Sequence, residues 1–267
     1  MCEFCTSHGE GKKWYENLSN YTEEVFNSVS SKEELAAFIN KLYHAMTVDI
    51  PLANRLKKRL PKIYDMIIHP MLTRYLKKKH FGQVVPIEDI NRILEGVESI
   101  VRLPCICRKA TIKTEKRYCL GIGFDLSPIF KDTNDFSDFE RITLDEAVKF
   151  IKTLDHEGQT HTIWTLKTPY IGSICNCDRD CMAYRFQVGM DLGKAMWKGE
   201  YIAGIDRDIC CGCRECMERC YYGAISYDRV NVKCNINSLK CYGCGICRAV
   251  CKYDAIMLSD RGVELTF

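Results

Sequence analysis

Between Cys210 and Cys251 one cysteine spacing occurs twice, Cys-x2-Cys-x2-Cys-x3-Cys: Cys210, Cys213, Cys216 and Cys220, then Cys241, Cys244, Cys247 and Cys251. A stretch this dense in thiols either cross-links or binds metal. Disulfide frameworks serve short secreted chains that cannot bury a core. This chain has 267 residues, 46% of them hydrophobic, and opens with Met1-Cys2-Glu3-Phe4-Cys5 instead of a basic patch leading into an apolar stretch. The expectation is a cytoplasmic protein with no membrane span, its thiols reduced and held on metal. Three cysteines of each copy sit in a tight loop, close enough to hold three irons of one cubane, and the fourth begins a following helix. Paired zinc sites are the alternative, although zinc ribbons need no third and fourth cysteine at this spacing. The flanks repeat as well: Cys220-Tyr-Tyr-Gly-Ala-Ile225 and Cys251-Lys-Tyr-Asp-Ala-Ile256 read as halves of an internal duplication. Cys211 and Cys234 fall outside the spacing. Cys234 follows a strand-like alternation and reads as a small buried hydrophobe.

About two hundred residues precede this unit. Trp14, Leu18, Tyr21, Val25, Phe26 and Val29 recur at helical spacing, and Ser31 with Glu34 forms a capping box ahead of Leu35, Phe38, Ile39, Leu42 and Met46. A further stripe runs through Leu52, Leu56 and Leu60, breaks at Pro61, and resumes with Ile63, Met66 and Ile67 until Pro70. The last helix starts at Pro86 and carries Ile87, Ile90, Leu94, Val97 and Val101 on one face until Pro104. These stripes read as helix packing. From Arg55 to His80 nine Lys or Arg face one acid, Asp65. That basic face is a solvated helix surface or a steering surface for an acidic redox partner. No zinc finger or RNA-binding signature accompanies it, so nucleic acid is not expected. The middle region holds Cys105, Cys107, Cys119, Cys175, Cys177 and Cys181. Four of these six are expected to hold a metal, either a third [4Fe–4S] cluster or zinc, because Cys-x-Cys on extended backbone puts both thiols on one side. Arg108 stands where it can donate to a cluster sulfur. A helix capped at Thr143-Leu-Asp-Glu146 ends near Gly158, and Thr160 to Leu166 alternates as a strand. Cys2, Cys5 and His8 form a weaker candidate metal set.

The doubled motif resembles a bacterial-type ferredoxin with two [4Fe–4S] clusters. The resemblance implies crossed ligation, one cluster on Cys210, Cys213, Cys216 and Cys251 and the other on Cys241, Cys244, Cys247 and Cys220. The family's proline after the fourth cysteine is replaced by Tyr221 and Lys252, which removes no ligand. With His80-Phe-Gly-Gln-Val-Val-Pro86, Pro104-Cys-Ile-Cys-Arg108 and Cys175-Asn-Cys177, most of the chain resembles a family of larger, poorly characterised 4Fe–4S-binding proteins of anaerobes. That likeness implies iron–sulfur redox work but no substrate. The expected architecture is α+β: a helical region 1–103, a small mixed α/β cysteine-rich region 104–198, and a dicluster ferredoxin fold over 199–267. The expected function is single-electron transfer with a redox protein partner (ferredoxin, flavodoxin or oxidoreductase). No general acid or nucleophile stands out, His156 and His161 reading as packing residues. The alternatives are a ferredoxin-fed reductase acting on a disulfide or small organic substrate at the middle cysteines, and a redox or metal sensor.

Overall fold

A computed structural model describes residues 13–125 and 139–261, so Cys2, Cys5 and His8 lie outside the described residues. The chain is α+β. In chain order the helices are α1 Glu23–Val29, α2 Lys32–His44, α3 Ile50–Arg59, α4 Pro61–Ile63, α5 His69–Lys79, α6 Ile87–Gly96, α7 Ile106–Ile112, α8 Leu144–Glu157, α9 Met182–Tyr184 and α10 Glu215–Arg219. A seven-stranded sheet is built from β1 Gly82–Val84, β2 Ser99–Leu103, β3 Cys119–Gly123, β4 Glu140–Arg141, β5 Thr160–Lys167, β6 Tyr170–Cys177 and β7 Met196–Trp197. Its strand order is β4-β2-β3-β6-β5-β1-β7, antiparallel except where β1 meets β7. Strands from before and after residue 104 therefore share one sheet. Near the C-terminus, β8 Tyr201–Ile205 pairs with β11 Ile256–Asp260, and β9 Ile225–Asp228 pairs with β10 Lys233–Ile236.

Period-two alternation divides the sheet into two unlike faces. Leu120 and Ile122 of β3, Ile163 of β5, and Ile171 and Ile174 of β6 bury against Ile90, Ile93 and Leu94 of α6 and Ala147 and Ile151 of α8. Burying each large aliphatic side chain stabilises the fold by roughly 2 kcal/mol. The opposite face carries Cys119, Cys175 and Cys177, with helices α2, α3 and α5 standing over part of it. Helix α8 has the expected reciprocal capping box at Thr143 and Glu146 and stops at Gly158, whose φ of 87° a glycine adopts without strain. Helix α2 is capped by Ser31, which accepts from the Glu34 N–H. The Glu34 carboxylate turns away to Ser30 and Lys167, so only half of the expected box forms.

Four expectations are corrected. The stretch from Trp14 to Val29 is not one helix: 3-10 turns at Trp14–Glu16 and Leu18–Tyr21 precede α1. Asn17 and Thr22 bond their own neighbouring N–H groups and break the period. Leu52, Leu56, Leu60, Ile63, Met66 and Ile67 do not pack; all are exposed, Met66 at 71%. The stripe that turns inward is Ile50, Ala53, Tyr64, Ile68, Leu72 and Leu76. Helical structure also continues past Pro51 and Pro70. A π-helical turn precedes the helices that carry Pro51 and Pro70, Ala45–Asp49 and Tyr64–Ile68 respectively, and loosens the ladder where proline lacks an N–H. Finally, the helix from Pro86 ends at Gly96, and Ile100 and Val101 belong to β2, where β-branched side chains fit the pleat.

His80 sits between α5 and β1. Its Nδ1 faces the Thr165 carbonyl, which only accepts, so Nδ1 carries the proton. Burial pushes the imidazole from its ordinary 6.5 down to about 4. Between those values the unfolded chain takes up a proton that the folded one refuses, so stability falls as pH drops through this window. Replacing the ring by an amide, His80→Gln, is expected to flatten the fall in urea midpoint between pH 7 and pH 4.5; an unchanged slope would remove His80 as its source.

Candidate functional site

Among the described residues every cysteine is a free thiol. No group of three or more His, Cys, Asp or Glu side chains among them stands at single-metal spacing. The thiols line wider cradles.

In the C-terminal part the two copies adopt matching conformations. Cys210 N–H donates to Asp206 O and Cys241 N–H to Asn237 O, each at 3.0 Å. Gly212 and Gly243 occupy the same place in the motif with φ of 72° and 71°, and a Cβ on either would lie 2.1–2.2 Å from a backbone oxygen, of Val232 and Tyr201 respectively. Only glycine fits such a turn. Further on, Ala224 N–H points at Cys220 Sγ (3.4 Å) and Ala255 N–H at Cys251 Sγ (3.3 Å). Cys241 Sγ accepts from Ala203 and Gly243 N–H.

Cys251 does not stay with its own loop. It lines one cavity with Cys210, Cys213 and Cys216, walled by Ile205, Val250 and Ile256. Reciprocally, Cys220 approaches the second loop: burial pushes the Cys244 thiol up to about 12, with neighbouring Cys241 and Cys220 adding to the shift. The donor set, the concavity and the N–H groups fit a group that takes four thiolates from two loops. Cys234 is buried on β10, as its alternation suggests. Its sulfur also lines the first cavity and lies against Cys216, whose thiol burial and Cys234 together push up to about 12. Spacing alone carried no signal for that contact. Cys211 is exposed.

The six middle cysteines come together on the sheet's second face. Cys119 Sγ donates to Cys105 Sγ at 3.4 Å and also bonds Cys175, while Cys181 bonds both Cys107 and Cys177. Cys175 and Cys177 lie on extended backbone as expected. Cys105 is extended too, but as the N-cap of α7, and Cys107 already lies in the first turn of that helix, so this pair does not share an extended segment. The fold supplies this pair from a helix N-terminus. The Cys119 hydrogen bond, with Arg108 and the Tyr118 N–H, lowers Cys105 to about 6. Its bond to Cys181 and then burial push Cys107 up.

Arg108 is the buried hub, 1% exposed. It donates to Gln159 Oε1 (2.6 Å), Asp178 Oδ2 (2.8 Å), the Asn176 carbonyl (3.1 Å) and Cys105 Sγ (3.5 Å), and stacks over Tyr118. Such a fork is what a guanidinium can satisfy and an ammonium cannot. Gln159 and Asp178 carried no sequence signal as its partners.

Tyr222, near the place of the missing proline, stands between the two groups of cysteines. Burial, then the nearby Cys244 and Cys177, hold its hydroxyl well above the ordinary range. Its ring stacks on Tyr242 at 3.9 Å and lies near Tyr184. His161 is fully buried on β5, paired through Nδ1 with Asn176.

No established protein family matches the chain by sequence. It is 30% identical over 124 residues to indolepyruvate oxidoreductase subunit IorA of Pyrococcus abyssi, which covers 43% of this chain and 18% of that protein. It is 46% identical over 54 residues to dihydromethanopterin reductase (acceptor) of Methanosarcina mazei, 20% of this chain and 22% of that one. The chain thus spans less than a quarter of the length of either relative. It is related in part to oxidoreductases, and its abundant cysteines fit a redox role.

Removing one partner of a buried ion pair costs about 3–5 kcal/mol. Arg108→Met is expected to lower unfolding free energy by that order in a denaturant titration and to slow Cys105 alkylation at neutral pH, with Arg108→Lys recovering only part of each; wild-type values in both would dismiss the hub.

Proposed function

We propose that the chain is an iron–sulfur electron-transfer protein with two C-terminal [4Fe–4S] clusters, one held by Cys210, Cys213, Cys216 and Cys251 and the other by Cys241, Cys244, Cys247 and Cys220. The observation that carries this reading is the convergence of Cys251 on the cavity of the opposite motif. Bound there, a cluster supplies one-electron chemistry, and the N–H groups aimed at Cys220, Cys241 and Cys251 tune its potential. Such a centre needs no acid–base residues. The six middle cysteines hold a third metal centre, either [4Fe–4S] or zinc, using four of their number, and Arg108 offsets thiolate charge there. Tyr222 has Cys244 and Cys177 as neighbours, so its ring would stand between the second cluster and the middle centre if both were bound.

The partner surface is the hairpin of α3 to α5. Basic residues of this segment flank an exposed ridge including Leu52, Leu60, Met66 and Met71, while Lys57 is drawn into ion pairs with Asp65 and Asp191. Positive charge steers an acidic redox protein and the apolar ridge seats it. A second reading is favoured by a cavity of about 580 Å³ that opens onto Cys107, Cys119, Cys175, Cys177 and Cys181: a reductase acting there on a small organic substrate, fed by the same clusters. The 3.4 Å contact of Cys105 with Cys119 serves its disulfide variant.

Oxygen-free reconstitution followed by iron, sulfide and zinc analysis tests the cofactor content. About eight irons per chain is expected from the two cubanes, with about four more, or one zinc, from the middle site; a colourless, iron-free product rejects the reading. Cys220→Ala is expected to abolish the paramagnetic signal of the Cys241-loop cluster before that of its neighbour. Loss from the Cys210 loop first would mean that ligation is not crossed. Gly243→Ala is expected to lower iron by about four per chain, one cubane's content, since its methyl meets the Tyr201 carbonyl.

A further inference from the structure

A cavity lies beside the middle cysteines. It lies between the cysteine-bearing sheet face and helices α2, α3 and α5, and is open on one side. At about 580 Å³ it falls in the range that encloses most of a ligand of ordinary cofactor or substrate size. Its wall is almost wholly apolar and rich in ring faces, with Phe38, Tyr75, Trp164 and Phe186 around it. Water inside such a wall finds few partners, so an apolar molecule displaces it at a gain. Asp49 is the one charged side chain in the lining among the described residues, and no Lys or Arg of the basic hairpin reaches it. An anion would enter without a counter-charge.

The polar equipment is sparse and directional. His80 lines the cavity, and because its Nδ1–H is committed to the Thr165 carbonyl, its Nε2 is left as an acceptor. The ring is held in place by contacts with Trp164 and Phe38, centroids 5.1 Å away in both cases. One end of the space is closed by thiols, with Cys107, Cys119 and Cys175 in the wall. Two of the π-helical turns of the chain border it, through Ala45, Met46 and Asp49 on one and Phe186 on another. Turns of this kind widen a helix locally and recur where proteins make room for ligands.

We propose that this cavity binds an uncharged, flat, conjugated organic molecule carrying one hydrogen-bond donor, which His80 Nε2 accepts, with the body of the ligand lying against the middle cysteines. This deepens the reductase reading by naming its substrate class, and it is tested without reference to iron, so that failure of the cofactor reading and failure of the cavity are separate results.

The test is fluorescence titration of the full chain, prepared without oxygen, with three probes: 1-pyrenemethanol, pyrene and pyrene-1-sulfonate. Saturable one-to-one binding of 1-pyrenemethanol is expected, with at least tenfold weaker binding of the sulfonate. Ala53→Trp, which fills the cavity from α3, is expected to weaken 1-pyrenemethanol at least tenfold. Ala195→Trp provides a second filling variant should the first fail to fold, as judged by circular dichroism. His80→Phe should cut the preference for 1-pyrenemethanol over pyrene at least threefold while leaving pyrene bound. Leu52→Ser, on the exposed ridge outside the cavity, should leave all three affinities unchanged. Equal binding of the charged and uncharged probes, or no saturable binding, overturns the proposal. So does binding that survives the filling variants but is lost in Leu52→Ser, which would place the probe on the ridge.

Discussion

The architecture rests on a sheet whose alternation separates two incompatible kinds of side chain. Aliphatic residues such as Leu120, Ile163 and Ile174 go one way, into a dry contact with α6 and α8. Cys119, Cys175 and Cys177 go the other, toward the Arg108 hub and the cavity. A one-residue slip in β6 would exchange the two sets and drive thiols into the aliphatic core. The register Leu120↔Ile174 and Ile163↔Ile174 is thus the constraint on which both the stability and the chemistry of the middle region depend.

Much of this was legible in the amino-acid sequence where a local rule is strong. The box at Thr143 and Glu146, the stop at Gly158 and the strand from Thr160 follow from neighbours in the chain. The α+β class followed from the mixture of helical and alternating stretches. Long-range choices were not legible. Leucine spacing pointed to the wrong face of the segment from α3 to α5, because which side packs is decided by residues such as Ile50, Tyr64, Ile68 and Leu72 meeting Phe186, Leu192 and Met196, far along the chain. Similarly, Val97 and Val101 continue a helical stripe on paper, and only pairing with β3 turns Val101 into strand.

The thiols divide along the same line. The duplicated spacing announced two loops, and the matching left-handed glycines at 212 and 243 are its conformational counterpart. For the six middle cysteines, spacing told their number but not their geometry. Cys105 and Cys107 come from the mouth of a helix, and their partners, Cys119 on β3 and Cys181 at the start of α9, arrive fourteen and seventy-four residues later. Arg108 was visible as a neighbour of thiols, whereas its counter-charge Asp178 and the aromatic Tyr222 became neighbours only through folding.

The hairpin's outer surface has a colloidal consequence. Lysines and arginines flank a band of leucine, isoleucine and methionine that water covers at a cost. At low ionic strength like charge keeps two such faces apart; added salt shortens the reach of that repulsion without weakening the attraction between the bands. Salt therefore favours contact between two such faces, and an acidic protein covering this surface would prevent it.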